Sequence, residues 1–220
     1  MLIWLASYPR SGNTYLRMVL HKIFGLHTYA SRADERVFSW HPDVIRMVGH
    51  KSIDVDETVI QRARASNDLY IIKTHEPPLT DDPAIYIVRD GRSSIVSYFY
   101  YCNEIENLSV SLDDIICGNV YAGSWTEHFY SWLPQHRPNT LLMRYEELIR
   151  DQESLIDRLR NYLGIDPISH GPIASLSKLH GLFPQFFRSG DDYKNISEIE
   201  LSFPLFLEKH GMLMKQLGYL

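Results

Sequence analysis

Four short apolar runs, each closed at once by a polar turn, constrain this chain more than any other feature. They are residues 2–6 (LIWLA), 69–73 (LYIIK), 84–88 (AIYIV) and 140–144 (TLLMR). None alternates apolar with polar residues, so each reads as a strand buried on both faces. Helical patterns separate them. Tyr15, Leu16, Val19, Leu20 and Ile23 recur at helical spacing over 13–25, with Gly25 as the stop. Further helices are expected near 41–48, 55–65 (capped by Asp54 or Asp56), 92–103, 111–117, 123–134, 151–163 (ending at Gly164) and 202–216 (ending at Gly218). Pro77 and Pro78 bar regular structure just after the second run. Apolar strands alternating with helices mean an α/β fold with a central parallel sheet flanked by helices. At 220 residues the chain is expected to form a single domain spanning 1–220, with a core that needs no disulfide or metal.

In such sheets ligands bind beyond the carboxyl ends of the strands. After the first run comes Ser7-Tyr8-Pro9-Arg10-Ser11-Gly12-Asn13-Thr14-Tyr15, a glycine-containing turn with hydroxyls and one cation leading into a helix. Open amides and the positive dipole end of a helix attract an anion, and Arg10 adds a full charge. No GxxxxGK[ST] loop is present, which weakens an ATP-kinase reading. After the second run come Lys73, Thr74 and His75. Histidine is the natural general base near neutral pH, and lysine is a point charge for a transferring anion. After the third come Arg89, Asp90 and a helix start, with Ser97 two turns in. Taken singly, each has a bland reading: a capped turn, a surface histidine, a salt-bridged arginine. Together, Arg10, Lys73 and Arg89 at three successive strand ends of a chain with net charge −5 call for a ligand with two separated anionic groups. The same net charge argues against a nucleic-acid partner.

No run is apolar enough for a membrane span, and the first residues lack the basic start and length of a signal peptide. Two cysteines, Cys102 and Cys117, make no framework and have no metal-ligand spacing, which points to a reducing cytoplasm.

These motifs resemble those of the cytosolic-type sulfotransferases that use 3′-phosphoadenosine 5′-phosphosulfate (PAPS). Residues 7–15 resemble the family's 5′-phosphosulfate loop, usually Tyr-Pro-Lys-Ser-Gly-Thr-Thr-Trp, with Arg10 in the lysine position. Lys73-Thr74-His75 resembles its catalytic segment, and residues 85–97 its 3′-phosphate motif. Arg144-Tyr145-Glu146-Glu147-Leu148, Phe187-Arg188-Ser189-Gly190, Gly123-Ser124-Trp125 and Leu217-Gly218-Tyr219 follow in the family's order. The resemblance runs from residue 3 to 219. It implies a P-loop-kinase-like three-layer α/β/α fold and sulfonate transfer from PAPS, leaving 3′-phosphoadenosine 5′-phosphate (PAP). The acceptor is a small-molecule hydroxyl or amine, and no metal takes part.

The resemblance also implies roles. Arg10, Ser11, Gly12, Asn13 and Thr14 cradle the 5′-phosphosulfate. Tyr15 takes the place of an adenine-stacking tryptophan, and Tyr145 and Ser175 lie on the adenine side. Arg89, Ser97, Arg188, Ser189 and Gly190 grip the 3′-phosphate. His75 is the general base, and Lys73 and Arg10 stabilise charge on the sulfonate.

Two departures stand out. The chain opens directly on its first strand, and the late loop from Arg188 to Tyr193 is two positions shorter than the common pattern, with Ser189 in place of a frequent lysine. The size fits a compact bacterial-type member. Acceptor-lining residues are expected from 30–60, 76–82 and 98–130, where Tyr98–Tyr101, Trp125, Phe129 and Tyr130 offer aromatic walls. The acceptor and the oligomeric state stay open. So do two other readings: a nucleotide-binding module without activity, and a small-molecule kinase using ATP.

Overall fold

The structure, a computed structural model, describes residues 1–30, 42–184, 187 and 197–220, the last without the side chains of 197–201. Six strands form one sheet: β1 (Leu2–Ser7), β2 (Thr28–Ala30), β3 (His50–Lys51), β4 (Tyr70–Thr74), β5 (Ala84–Val88) and β6 (Thr140–Arg144). Their order is β3-β2-β4-β1-β5-β6, and every neighbouring pair is parallel. The helices are α1 (Asn13–Phe24), α2 (Pro42–Met47), α3 (Glu57–Ala65), α4 (Gly91–Tyr100), α5 (Leu112–Cys117), α6 (Trp125–Trp132), α7 (Tyr145–Arg150), α8 (Gln152–Leu163), α9 (Leu176–Leu182) and α10 (Ser197–Gln216).

The pleat divides β1 between two cores, because successive side chains point to opposite faces. Leu2, Trp4 and Ala6 join Tyr86, Ile95, Ile115, Trp125, Phe129, Phe206 and Leu213 beneath α4, α5, α6 and α10. Ile3 and Leu5 join Leu16, Val19, Leu20, Ile85, Ile87 and Leu159 beneath α1 and α8. The result is the expected three-layer α/β/α arrangement. Trp4, Leu5, Leu16, Leu20, Ile85 and Ile87 have no exposed surface; each buried leucine or isoleucine contributes roughly 1.5–3 kcal/mol.

Local signals set most boundaries. Gly25 closes α1 in the left-handed conformation (φ 67°). The Asp56 carboxylate, rather than Asp54, caps α3 by accepting from Val59 N at 2.8 Å. Ser124 and Glu127 form a reciprocal capping box at the start of α6.

Where the structure differs from the sequence reading, tertiary packing decided. β2 and β3 have no apolar run of their own; β2 is recruited by pairing with Ile71 and Ile72, and β3 by pairing with β2. The helix expected over 92–103 ends as α-helix at Tyr100 and continues as one π-helical turn, Tyr101–Ile105. Asn103 stabilises this turn: its amide donates to the Phe99 and Val110 carbonyls, each at 3.0 Å. α10 begins five residues before the expected 202 and carries Pro204 inside it. Proline removes one helical hydrogen bond there; Phe206, Leu213 and Met214, packed into the core, hold the helix through it.

Candidate active site

β1 lies between β4 and β5, so the three cation-bearing strand ends converge at one edge of the sheet. Register fixes the details. Ala6 pairs with Thr74, which brings Ser7 beside His75, while Ser7 also pairs with Ile87, two residues before Arg89.

The turn from β1 into α1 takes an unusual path. Arg10 has φ 64° and Gly12 φ 100°, and Gly12, the N-cap, offers no side chain to cap the helix. The first amides of α1 are therefore left for an incoming anion, at the positive end of the helix dipole. Gly12 is required on two counts. Its conformation strains any other residue, and a Cβ there would lie 2.4 Å from Cδ2 of Tyr145. Gly12→Ala is expected to destabilise the protein by about 1–3 kcal/mol, read as a lowered thermal midpoint; an unchanged midpoint would mean that Tyr145 yields freely.

Arg10 Nε donates to Ser97 Oγ at 3.1 Å, and its guanidinium lies 5.3 Å from the centre of the Tyr101 ring. Arg89 Nη1 donates to the Arg10 carbonyl at 2.9 Å, and its guanidinium stacks 4.4 Å over the Tyr145 ring. Arg10, Gly12, Arg89, Ser97 and Tyr145, scattered over the sequence, thus form one connected cluster. Ser11 is fully buried, its hydroxyl 3.2 Å from that of Ser94, so it ties the loop to α4 and faces no solvent.

Asn13 is expected among the residues that cradle the 5′-phosphosulfate, but its side chain faces away from solvent. It is buried, and its amide nitrogen donates inward to the Leu5 carbonyl (3.2 Å) and to Ser7 Oγ (3.3 Å). Its place at the first position of α1 leaves its backbone amide at the cradle. Thr14 is partly exposed at the same helix start. Tyr15 is 7% exposed and packs in the core beside Tyr145.

His75 is partly buried at the end of β4. Its Nδ1 lies 2.7 Å from the Ser7 carbonyl oxygen. Burial first, and the Lys73 ammonium second, push its pKa well below the usual histidine value. The ring is therefore neutral at physiological pH, the state a proton acceptor needs. Behind it, His128 is 3% exposed, with Nδ1 2.9 Å from the Tyr86 hydroxyl.

Ser175 is an exposed N-cap of α9, accepting from Lys178 N at 3.3 Å and lying 3.1 Å from Ser177 Oγ; the described contacts join it to none of the other candidates. Arg188, Ser189 and Gly190 lie outside the described residues. The sequence reading assigned no role to Ser7, Ser94 or His128, and named Tyr101 only as an acceptor wall, not as a neighbour of Arg10. Ser94 was discoverable, since it lies three residues before Ser97 on one helix face. The others depend on strand register and on the π-turn. Among the described residues no group of three or more His, Cys, Asp or Glu side chains is arranged to hold a metal ion, and no helix is long and apolar enough to cross a membrane.

The parallel sheet thus sets the strand ends that carry Arg10, Lys73 and Arg89, with neutral His75, beside an uncapped helix start. The family model of the sulfotransferase domain matches residues 2–179, and the chain belongs to that family. Sulfotransferase 2A6 of Mus musculus is 34% identical over 87 residues, 36% of this chain and 30% of that protein. Sulfotransferase 2A1 of Macaca fascicularis is 31% identical over 169 residues, 73% of this chain and 58% of its own length. The chain thus spans less than two thirds of these relatives. Among solved structures, mouse sulfotransferase SULT7A1 complexed with PAP superposes with a TM-score of 0.68, at 23% identity, covering 99% of this chain and 88% of that one. This last likeness is one of fold.

Proposed function

We propose that the protein transfers the sulfonate group of PAPS to a hydroxyl or amine of a small-molecule acceptor, releasing PAP. The observation that supports this most is the adjacency of the three strand ends that carry Arg10, Lys73 and Arg89, next to the uncapped start of α1 and neutral His75. The chemistry of the residues fits such a donor: Gly12 lets the loop pass against Tyr145, and arginines, a hydroxyl and helix-start amides are donors suited to phosphate and sulfonate oxygens. PAP in the mouse SULT7A1 structure and the hydroxysteroid acceptors named for Cavia porcellus relatives agree with it.

The nucleotide supplies an activated sulfonate on a phosphate leaving group. The amides of α1 and the Arg10 guanidinium hold that end, and Tyr15 and Tyr145 serve the adenine side. Arg89 and Ser97 serve the 3′-phosphate, with Arg188, Ser189 and Gly190 assigned there by resemblance, and Ser175 on the adenine side by resemblance alone. His75 Nε2 takes the proton from the acceptor as its oxygen or nitrogen bonds to sulfur. Lys73 and Arg10 offset the negative charge that builds on the departing oxygen. Positioning and charge carry the reaction, as in phosphoryl transfer. The reading treats residues 1–220 as a single domain and places it in the cytoplasm, where Cys102 and Cys117, both free, remain thiols.

Thermal unfolding with PAP, ADP and ATP at equal concentration tests the donor. A ligand at 100 times its Kd adds about 2.7 kcal/mol, a shift of roughly 5–10 °C at this length. Selective stabilisation by PAP is expected; stabilisation by ATP alone would overturn the sulfotransferase reading. PAP release over an acceptor panel then tests the transfer itself.

A further inference from the structure

The inward-turned Asn13 points to a second task for the loop that starts α1. Its amide nitrogen reaches two oxygens of β1, the Leu5 carbonyl and Ser7 Oγ. The opposite amide orientation would set its oxygen against the Leu5 carbonyl, so the nitrogen belongs there. Oδ1 is then buried with no partner, an arrangement tolerated only if the other half of the amide is needed where it is.

Ser7, fully buried, is the residue that touches the base. Its carbonyl oxygen lies 2.7 Å from His75 Nδ1, and its hydroxyl 3.5 Å from the same nitrogen. A carbonyl at that distance attracts the ring nitrogen only if the nitrogen carries the proton. Nδ1–H therefore donates to Ser7, and the lone pair is confined to Nε2.

We propose that Asn13 and Ser7 are positioning residues for His75: Asn13 holds the end of β1, and the Ser7 carbonyl so placed locks the histidine in the tautomer that presents Nε2 to the acceptor. The inference rests on the reading of His75 as the base. It gives Asn13 a divided role, with its backbone amide at the anion cradle and its side chain behind the base. The loop that receives the donor and the group that receives the acceptor's proton are thereby held by one residue.

The test uses Asn13→Ala and Asn13→Thr in the whole 220-residue chain. PAP affinity by calorimetry should change less than about threefold, while kcat at saturating donor falls about ten- to a hundredfold, the usual effect of losing a group that orients a reacting side chain. Ring-nitrogen NMR of His75, assigned with His75→Ala, should show Nδ1–H alone in the parent and a tautomer mixture in the variants. A merely structural role would lower stability without moving that signature. If Asn13 variants lose PAP affinity tenfold or more and keep kcat, Asn13 is an anion ligand and the proposal falls. An unchanged tautomer with unchanged kcat overturns it too. Should the Asn13 variants fail to fold, the parent spectrum carries the test: Nδ1–H alone upholds the lock by the Ser7 carbonyl, and an Nε2–H tautomer there overturns it. The NMR readout needs no turnover, so a parent protein that binds no PAP would refute the proposed function separately from the tautomer lock.

Discussion

His75→Ala should lower turnover by about 10²–10⁴-fold, the range for removing a positioned general base, while PAP affinity stays within a few-fold of the parent. The separation follows from geometry. The described polar contacts of the His75 ring are to Ser7, at the end of β1, whereas the proposed anion cradle consists of the amides of α1 and the arginines. Turnover on a responsive acceptor and calorimetry with PAP measure the two halves. Matched losses of both would show that His75 helps build the nucleotide site, and undiminished turnover would remove it as the base. The depressed pKa adds a pH signature. Burial and Lys73 keep the ring neutral through the ordinary histidine range, so kcat should hold level as pH falls to about 6.5 and decline only below it.

The second large effect is on stability. Burial drives His128 down to about 3 and His210 down to about 4, and both are almost fully enclosed. His210 has its ring nitrogens committed to Thr126 Oγ1 at 2.8 Å and the Ile116 carbonyl at 3.1 Å. The unfolded chain takes up protons at these histidines near pH 6.5 and the folded chain does not. Their neutral burial is therefore harmless above about pH 6.5, and stability is lost as pH falls from there toward the folded-state values. With His75, whose pKa burial also lowers, three such groups give a slope of about 4 kcal/mol per pH unit once pH is well below 6.5, or about 6 kcal/mol between pH 7.5 and 5. That is a large part of the 5–15 kcal/mol typical of a domain. Urea midpoints at about pH 7.5 and pH 5 measure it. His128→Gln should reduce the slope by about a third; no change in slope would mean that His128 is already protonated or hydrated in the folded state.

The strands were legible because each of the four long ones is a local apolar run, and the cations because each stands within four residues of a strand end. Arg10, Lys73, His75 and Arg89 needed only that local reading and the rule that ligands gather at carboxyl ends. β2 and β3 were not legible, since Thr28–Ala30 and His50–Lys51 become strands only when a partner offers its edge. Nor was the π-turn at Tyr101–Ile105, which sets Tyr101 beside Arg10.

The sequence by itself determined the four long strands and most of the helices, and that three cations and a histidine lie at strand ends, because periodicity, caps and glycines act within a few residues. Only the tertiary structure decided which way each side chain faces. Asn13 turned from the anion toward β1, Ser11 toward Ser94, and Ser7 came to hold a histidine 68 positions away. Those choices rest on the register of β1 against β4 and on the packing of α4 over the loop, and contacts between segments so far apart leave no periodic trace in the chain.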